Sequence, residues 1–316
     1  MQKEVEASYM ACAVIFGADE TLLNVQLVDG FSFERLSLIP LKDHLDDIFD
    51  TTDFGLRRDY EGARIDGDSL DVICAVKKTE YHVLLGNANN FYHEYTDKDL
   101  VSLDNQIRMI RLFYEGPVRF KKMATVMKIS GDQLGKCYKS FPQKSVIPIG
   151  EAMSTHELSK LHLTSTEAAV INAKLSANFF PLQDKQLNFA YGFFDLSYHT
   201  DKFISVALLI TALEMLFLNG EQGKKERLSK RCACFISGQE SDIVQIYKRL
   251  KEAYRKRSDF VHDGEIANIT TEDILFLREC TRKSLIRALE DNIPKDKRIQ
   301  KLRVFIEQHK DLFRDV

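Results

Sequence analysis

The chain has 316 residues, 44% hydrophobic and 29% charged, with a net charge of −3, which is typical of a globular protein with two domains or one large one. Its longest apolar run, Phe203–Leu218, is interrupted by polar residues and is shorter than the roughly 20 residues that cross a bilayer. No signal-peptide pattern is seen, so we expect a cytoplasmic protein with no membrane partner.

Residues 1–115 are predicted to form an acidic, β-rich domain. Residues 1–100 carry 9 Lys/Arg and 20 Asp/Glu. Short runs rich in β-branched and aromatic residues alternate there with turn-formers such as Asp29-Gly30. The segment Val101–Tyr114 fits a strand or a helix. The predicted strands are Tyr9–Phe16, Thr21–Val28, Asp71–Val76 and Tyr81–Leu85.

Residues 116–185 are predicted to be a helical connector. Val118–Met127 and Thr166–Phe179 have helical spacing, and a loop marked by prolines and a glycine separates them.

Residues 186–316 are predicted to form an all-helical bundle, which gives the chain an α+β fold. Phe203–Leu218 is apolar nearly all round and should lie at the bundle's centre. Thr270-x-x-Asp273 has the pattern of a helix N-terminal cap. The other predicted helices are Leu187–Tyr198, Lys224–Ile236, Asp242–His262 and Arg298–Phe313.

The basic residues are concentrated in this bundle. Residues 224–257 contain 11 Lys/Arg and 4 Asp/Glu. Such a stretch attracts RNA through its phosphates, although a solvated basic helix surface has the same composition. The candidate RNA-binding residues are Arg227, Arg231 and Lys256.

The sequence predicts neither a cofactor nor a metal site. No phosphate-binding glycine loop is present. The six cysteines have no paired framework, and Cys232-Ala-Cys234 is too closely spaced for a zinc knuckle. His156 and His162 fit the start of a surface helix better than a metal site. The helical spacing of Tyr191, Phe193, Phe194 and Tyr198 favours core packing over base stacking.

Two charged residues occupy positions where the helical pattern predicts an apolar side chain. Arg257 lies on the stripe of Tyr254 and Val261, and Glu214 lies in the most hydrophobic helix. A buried unpaired charge costs several kcal/mol, so each should have a partner or line a wet cavity. The candidate cationic partners of Glu214 are Arg227, Arg231 and Arg257. The charges either form an ion pair that fixes helix register, or a pocket in which Arg257 holds a phosphate and His262 moves protons.

His262 follows Arg257 by five residues, or about 140° around an ideal helix, so the two do not share a face. They converge if the helix unwinds near Gly264 or if two copies of the motif meet in a dimer. Ser258 and Asp259, about one turn before His262, are placed to orient its imidazole.

Three segments resemble one family. The run Tyr254–Gly264, written Y-x-x-R-S-x-x-V-H-x-G, resembles the signature of ApeA-like HEPN domains. Phe203–Phe217, with its A-L-E segment, and Arg227-Leu-Ser-Lys-Arg231 resemble the apolar and basic helices that precede it. The resemblance covers about Leu187–Leu289, a third of the chain. Asp263 departs from the family pattern, in which a small residue is more usual.

The resemblance implies a metal-independent endoribonuclease that acts as a homodimer, with two R-x4-H motifs facing one cleft. It implies that His262 activates the ribose 2′-hydroxyl or protonates the leaving oxygen, and that Arg257 stabilises charge on the phosphate oxygens. The products would carry a 2′,3′-cyclic phosphate and a 5′-hydroxyl. Many relatives are toxins or antiviral effectors that cut cellular RNA, in some cases tRNA. The candidate supporting residues are Glu214, Tyr254, Ser258 and Asp259.

Two other interpretations remain open. One is a non-catalytic HEPN module that binds nucleotide, RNA or a partner protein. The other is a scaffold in which the charged pocket is purely structural. In either HEPN case we expect, by analogy alone, that the N-terminal domain responds to a protein or ligand trigger.

Overall fold

The protein has an α+β fold, as predicted. The computed structural model describes residues 4–37, 71–120, 123–129, 137–140, 160–177, 182, 184–263 and 269–314. Contacts divide these residues into two compact units. The first comprises the described parts of 1–147 and 158–179, and the second begins at residue 180.

The first unit contains a five-stranded antiparallel sheet with the order β2-β3-β1-β4-β5. The strands are β1 (Glu4–Val14), β2 (Phe31–Ser37), β3 (Asp71–Leu84), β4 (Ala124–Ile129) and β5 (Cys137–Ser140). The predicted strands Tyr9–Phe16, Asp71–Val76 and Tyr81–Leu85 are confirmed in essence. The last two are one continuous strand, in which the buried Lys77 is neutralised by Asp99 at 2.8 Å.

The prediction of a strand over Thr21–Val28 is wrong, because Glu20–Asn24 forms a 3-10 helix. Asp19 caps this helix by accepting a hydrogen bond from the Thr21 amide at 2.9 Å. The backbone of Val28 is bonded to the Gln106 side chain at 2.7 and 3.2 Å, and its carbonyl oxygen also accepts a turn hydrogen bond from the Phe31 amide at 3.2 Å.

Helix α1 (Ala88–Phe113) lies on one face of the sheet. It contains nearly all of the ambiguous segment Val101–Tyr114, which is therefore helical. Tyr9 of β1, flanked by the buried Ala7 and Ala11 on the same face, packs its ring against that of Tyr92 of the helix, with centroids 6.5 Å apart. The Tyr92 hydroxyl of α1 lies 2.8 Å from Thr125 Oγ1 of β4.

The predicted helix over Val118–Met127 is wrong, since β4 occupies its second half. β4 lies between β1 and β5 and is buried at five of its six residues. A strand buried on both faces has a continuous apolar run, which periodicity does not distinguish from a helix. Residues 116–185 therefore contribute two strands as well as a helix. The predicted helix Thr166–Phe179 is confirmed as α2 (Ser165–Ser176), which packs on α1.

The second unit is a helical bundle. Its helices are α3 (Lys185–Leu196), α4 (Lys202–Phe217), α5 (Lys224–Ile236), α6 (Glu240–Asp263), α7 (Thr271–Asp291) and α8 (Lys295–Gln308). α4 contacts each of the other five, which confirms its predicted central place. The predicted cap on α7 is confirmed, since Thr270 and Asp273 form a capping box. The last helix ends earlier than predicted and is followed by a 3-10 turn, Lys310–Phe313. None of the described helices combines the length and apolar composition of a membrane span.

Candidate functional site

Glu214, the charge within the apolar helix, is bonded to a tyrosine of α6. Tyr254 donates its hydroxyl hydrogen to Glu214 Oε1 at 2.7 Å, and both residues are half-buried. Of the three arginines predicted as partners of Glu214, none lies within ion-pair distance in the described part of the chain, so that prediction is wrong. A neutral donor meets the hydrogen-bonding need of a half-buried carboxylate without a second buried charge.

Arg257 lies one turn after Tyr254 on the same helix. Its guanidinium carbon is 6.0 Å from the centre of the Tyr254 ring. The side chain is half-buried, and its Nε atom is buried without a hydrogen-bond partner. Among the described residues, no carboxylate lies within ion-pair distance of Arg257. Arg257 therefore has hydrogen-bonding capacity that the described part of the fold does not use.

The Tyr254 hydroxyl is held in its neutral form. Burial raises the pKa of Tyr254 to about 12, and the hydrogen bond and charge of Glu214 add to this effect, while Arg257 opposes it. At neutral pH the phenol is therefore a proton donor that stays bonded to Glu214. The three residues form a polar group on α4 and α6 with a cation at its edge.

The helix that carries the motif is unbroken from Arg257 to His262, because α6 extends to Asp263. The two positions therefore lie about 140° apart on one regular helix. The side chain of His262, and Gly264 as a whole, lie outside the described residues. No local unwinding is seen up to Asp263, and the meeting of two copies stays a prediction.

The other residues at the end of α6 are engaged with their neighbours or exposed. Asp259 accepts a hydrogen bond from Arg255 at 3.0 Å, so this carboxylate does not depend on His262 for a partner. Ser258 is half-buried. Val261 is 49% exposed, so its predicted place on the buried stripe is wrong. The predicted stripe turns outward in the last turn of α6.

Lys256 joins α6 to the next helix instead of projecting freely. Its Nζ lies 2.8 Å from Asp273 Oδ2, and the two side chains are 16% and 19% exposed. Asp273 also accepts hydrogen bonds from Thr270 as part of the α7 cap. Burial alone acts to raise the pKa of Asp273, but the bond from Lys256 and those from Thr270 lower it overall. The prediction of Lys256 as an RNA contact is therefore not supported by its position.

The two arginines predicted to bind RNA on α5 differ in exposure. Arg231 is 3% exposed and donates to the Phe217 carbonyl oxygen at 2.6 Å and to Glu221 at 2.6 Å. It caps the end of α4, and its buried position does not support the predicted contact with RNA. Arg227 has a half-exposed side chain, with Nη1 3.5 Å from Glu221 Oε1.

Sequence reasoning missed Glu221 and Asp273 as the carboxylates that organise these cations. Asp273 was identified only as part of a cap. The pairing of Glu221 with α5 and α8 spans up to 82 residues and has no local sequence pattern. Other predictions fare better: Tyr191, Phe194 and Tyr198 are buried in the core. His162 lies at a surface, 2.7 Å from Asp19, whereas His156 lies outside the described residues.

Comparisons of the chain with protein-family models, with curated proteins and with solved structures each find no match.

Proposed function

We propose that this protein is a metal-independent endoribonuclease of the HEPN type, in which Arg257 and His262 carry the reaction. The observation that carries the proposal is Arg257 itself. It is a half-buried arginine with an unused Nε, beside a tyrosine–glutamate pair, on the helix whose sequence resembles the family signature. Arg282 and Arg298 in the same bundle also have an unpartnered Nε, but they donate to Glu279 and to the Ile293 carbonyl oxygen, whereas Arg257 makes no hydrogen bond or ion pair among the described residues.

The reaction is an in-line transfer of the phosphoryl group within RNA. The ribose 2′-oxygen loses its proton to a base and attacks phosphorus, and the bond from phosphorus to the 5′-oxygen breaks. A proton is delivered to that oxygen, which leaves a 5′-hydroxyl and a 2′,3′-cyclic phosphate. His262 moves one of these protons, and the Arg257 guanidinium binds the phosphate oxygens as their charge increases.

Tyr254 and Glu214 position Arg257 in this proposal. Tyr254 lies under the guanidinium and is itself held by Glu214, so the cation rests on a fixed ring. The Glu214 carboxylate lies beyond ion-pair distance of Arg257, so among the described residues no ion pair neutralises the guanidinium. This leaves the guanidinium free to bind phosphate.

The working site is shared between two copies of the chain. Because α6 is continuous, Arg257 and His262 lie on different faces, and a second copy can bring its His262 beside the first copy's Arg257. The exposed Val261, one residue before His262, supplies apolar surface for such a contact. We place the protein in the cytoplasm as a toxin or antiviral effector that cuts cellular RNA, with tRNA among the candidate substrates and the acidic N-terminal unit as its regulator.

The second candidate is a non-catalytic HEPN module that binds RNA, nucleotide or a partner protein through the same arginine. The unused Arg257 donor supports this candidate equally, since binding a phosphate needs no proton transfer. A purely structural role for the pocket receives less support, because it calls for an ion pair to Arg257 within the chain.

Sequencing RNA 5′ ends from cells that express the wild-type protein or its His262→Ala variant separates these candidates. We expect new 5′-hydroxyl ends, matched by 2′,3′-cyclic phosphates, with the wild type only. Arg257→Ala should abolish the same ends while the protein remains folded. If wild-type protein binds RNA but yields no new ends, even when its trigger is supplied, the binding module replaces the ribonuclease.

A further inference from the structure

A second group of cations surrounds Glu221, in the connection between α4 and α5. Arg231 donates to both carboxylate oxygens, at 2.6 and 3.2 Å. Arg303 of α8 donates to Oε1, and Arg227 Nη1 lies 3.5 Å from the same oxygen. Three guanidinium groups from two helices therefore share one carboxylate.

The charges in this group do not balance. Arg227, Arg231 and Arg303 bring three positive charges to the single negative charge of Glu221. An excess of cations held this close favours the arrival of an anion.

The excess charge lies at the surface. Arg231 has a side chain 4% exposed and Glu221 one 12% exposed, so these two form the inner pair. Arg227 and Arg303 have side chains 49% and 50% exposed, so these two form an outer pair on α5 and α8. Their shared carboxylate restrains both guanidinium groups while about half of each side chain stays exposed.

We propose that Arg227 and Arg303 form a docking surface for the phosphate backbone of RNA, distinct from Arg257. The proposal rests on the proposed ribonuclease function, which supplies RNA as the partner. Arginine forks bind phosphate oxygens in bidentate geometry, and two forks restrained beside one carboxylate offer two neighbouring cations to the phosphates of one strand. Nothing in this pair reads a base, so the contact should be independent of sequence.

In this proposal the buried inner pair also has a function: Glu221, held by Arg231, restrains the two outer arginines. Arg231 satisfies Glu221 by itself, so Arg227 and Arg303 are not needed to neutralise it. Removing both outer arginines should therefore leave the bundle folded while it removes two cations from the surface.

The test is RNA binding by the double variant Arg227→Gln/Arg303→Gln, made in a His262→Ala protein so that the RNA stays intact. The probe is fluorescently labelled single-stranded oligouridylate, titrated over a series of salt concentrations. Two lost phosphate contacts should lower the slope of log affinity against log salt by about 1.4, and weaken binding roughly ten-fold or more at low salt. Thermal unfolding of the variant should match that of the parent protein.

The matched control is Lys283→Gln/Arg314→Gln, which removes two exposed cations from α7 and the C-terminal end. This control should keep the parent's slope and affinity. Equal slopes and affinities for both double variants would overturn the docking surface, and the ribonuclease proposal would stand if the wild type still cuts RNA. If the wild type neither binds nor cuts RNA, the proposed function fails, and the docking surface fails with it.

Discussion

Tyr254 donates its phenol hydrogen to Glu214 at 2.7 Å, and Arg257 lies one turn further along the same helix with its guanidinium 6.0 Å from the Tyr254 ring. Through Tyr254, the two charged residues that interrupt the apolar helical patterns, Glu214 and Arg257, belong to one polar group. Glu214 is bonded to a neutral partner, and Arg257 has no carboxylate within ion-pair distance among the described residues.

Replacing Tyr254 with Phe should weaken both the fold and the reaction. The change leaves the half-buried Glu214 without its donor, which should cost about 1 kcal/mol of unfolding free energy. RNA cleavage should fall by more than the loss of folded protein accounts for. The reason is that the ring supporting Arg257 is no longer held by a hydrogen bond to Glu214. Urea unfolding and cleavage assays measure the two effects.

The matched control for this change is Tyr95→Phe in the first unit, which removes a hydroxyl with no hydrogen bond among the described residues. It should alter neither quantity. Wild-type cleavage by the Tyr254→Phe variant would show that the tyrosine does not position Arg257.

Removing Arg231 should affect stability rather than RNA binding. Arg231→Ala leaves Glu221 without its inner partner and the Phe217 carbonyl oxygen without its cap. Because Glu221 keeps the half-exposed Arg227 and Arg303 while the Phe217 carbonyl oxygen loses its donor, this change should cost about 1–3 kcal/mol, whereas Arg227→Ala, at a half-exposed position, should cost less than about 1 kcal/mol. Equilibrium unfolding compares the two variants. Equal losses would contradict the division into an inner and an outer pair.

The ion pair between Lys256 and Asp273 should stabilise the bundle in a pH-dependent way. The pKa of Asp273 is lower in the folded protein than its ordinary value of 3.8. The pair therefore contributes its full stability above pH 3.8 and loses it as the pH falls through the lower folded pKa. The difference in unfolding free energy between wild type and Asp273→Asn should shrink over that acidic range. A difference that does not change with pH would mean that the carboxylate charge is not used.

The sequence predicted the helical unit well because its signals are local. The apolar face of α4, the Thr270 cap and the spacing of α6 each lie within a few turns of one helix. The errors arise where contacts between residues far apart in the sequence determine the secondary structure. β4 pairs with a strand on each side, and the Val28 amide donates to the side chain of Gln106, 78 residues away.

The candidate site was predictable in part for the same reason. Arg257 and Glu214 were identifiable as charges in apolar patterns, but their partners depend on the packing of α4 against α6. Tyr254 was predicted as a supporting residue without a role, and the structure assigns it the hydrogen bond to Glu214. The burial of Arg231 could not be inferred, since a basic helix has the same composition whether its arginines are paired inside or exposed.

Mixing two inactive variants tests the central claim, a ribonuclease site shared between two chains, most directly. Arg257→Ala and His262→Ala proteins are co-expressed with different tags, the mixed dimer is isolated, and release of 2′,3′-cyclic phosphate ends is measured. A shared site predicts that the mixed dimer regains cleavage, because one of its two sites combines an intact Arg257 with an intact His262. A mixed dimer that stays as inactive as either parent, while the wild type cuts RNA, would contradict the shared site.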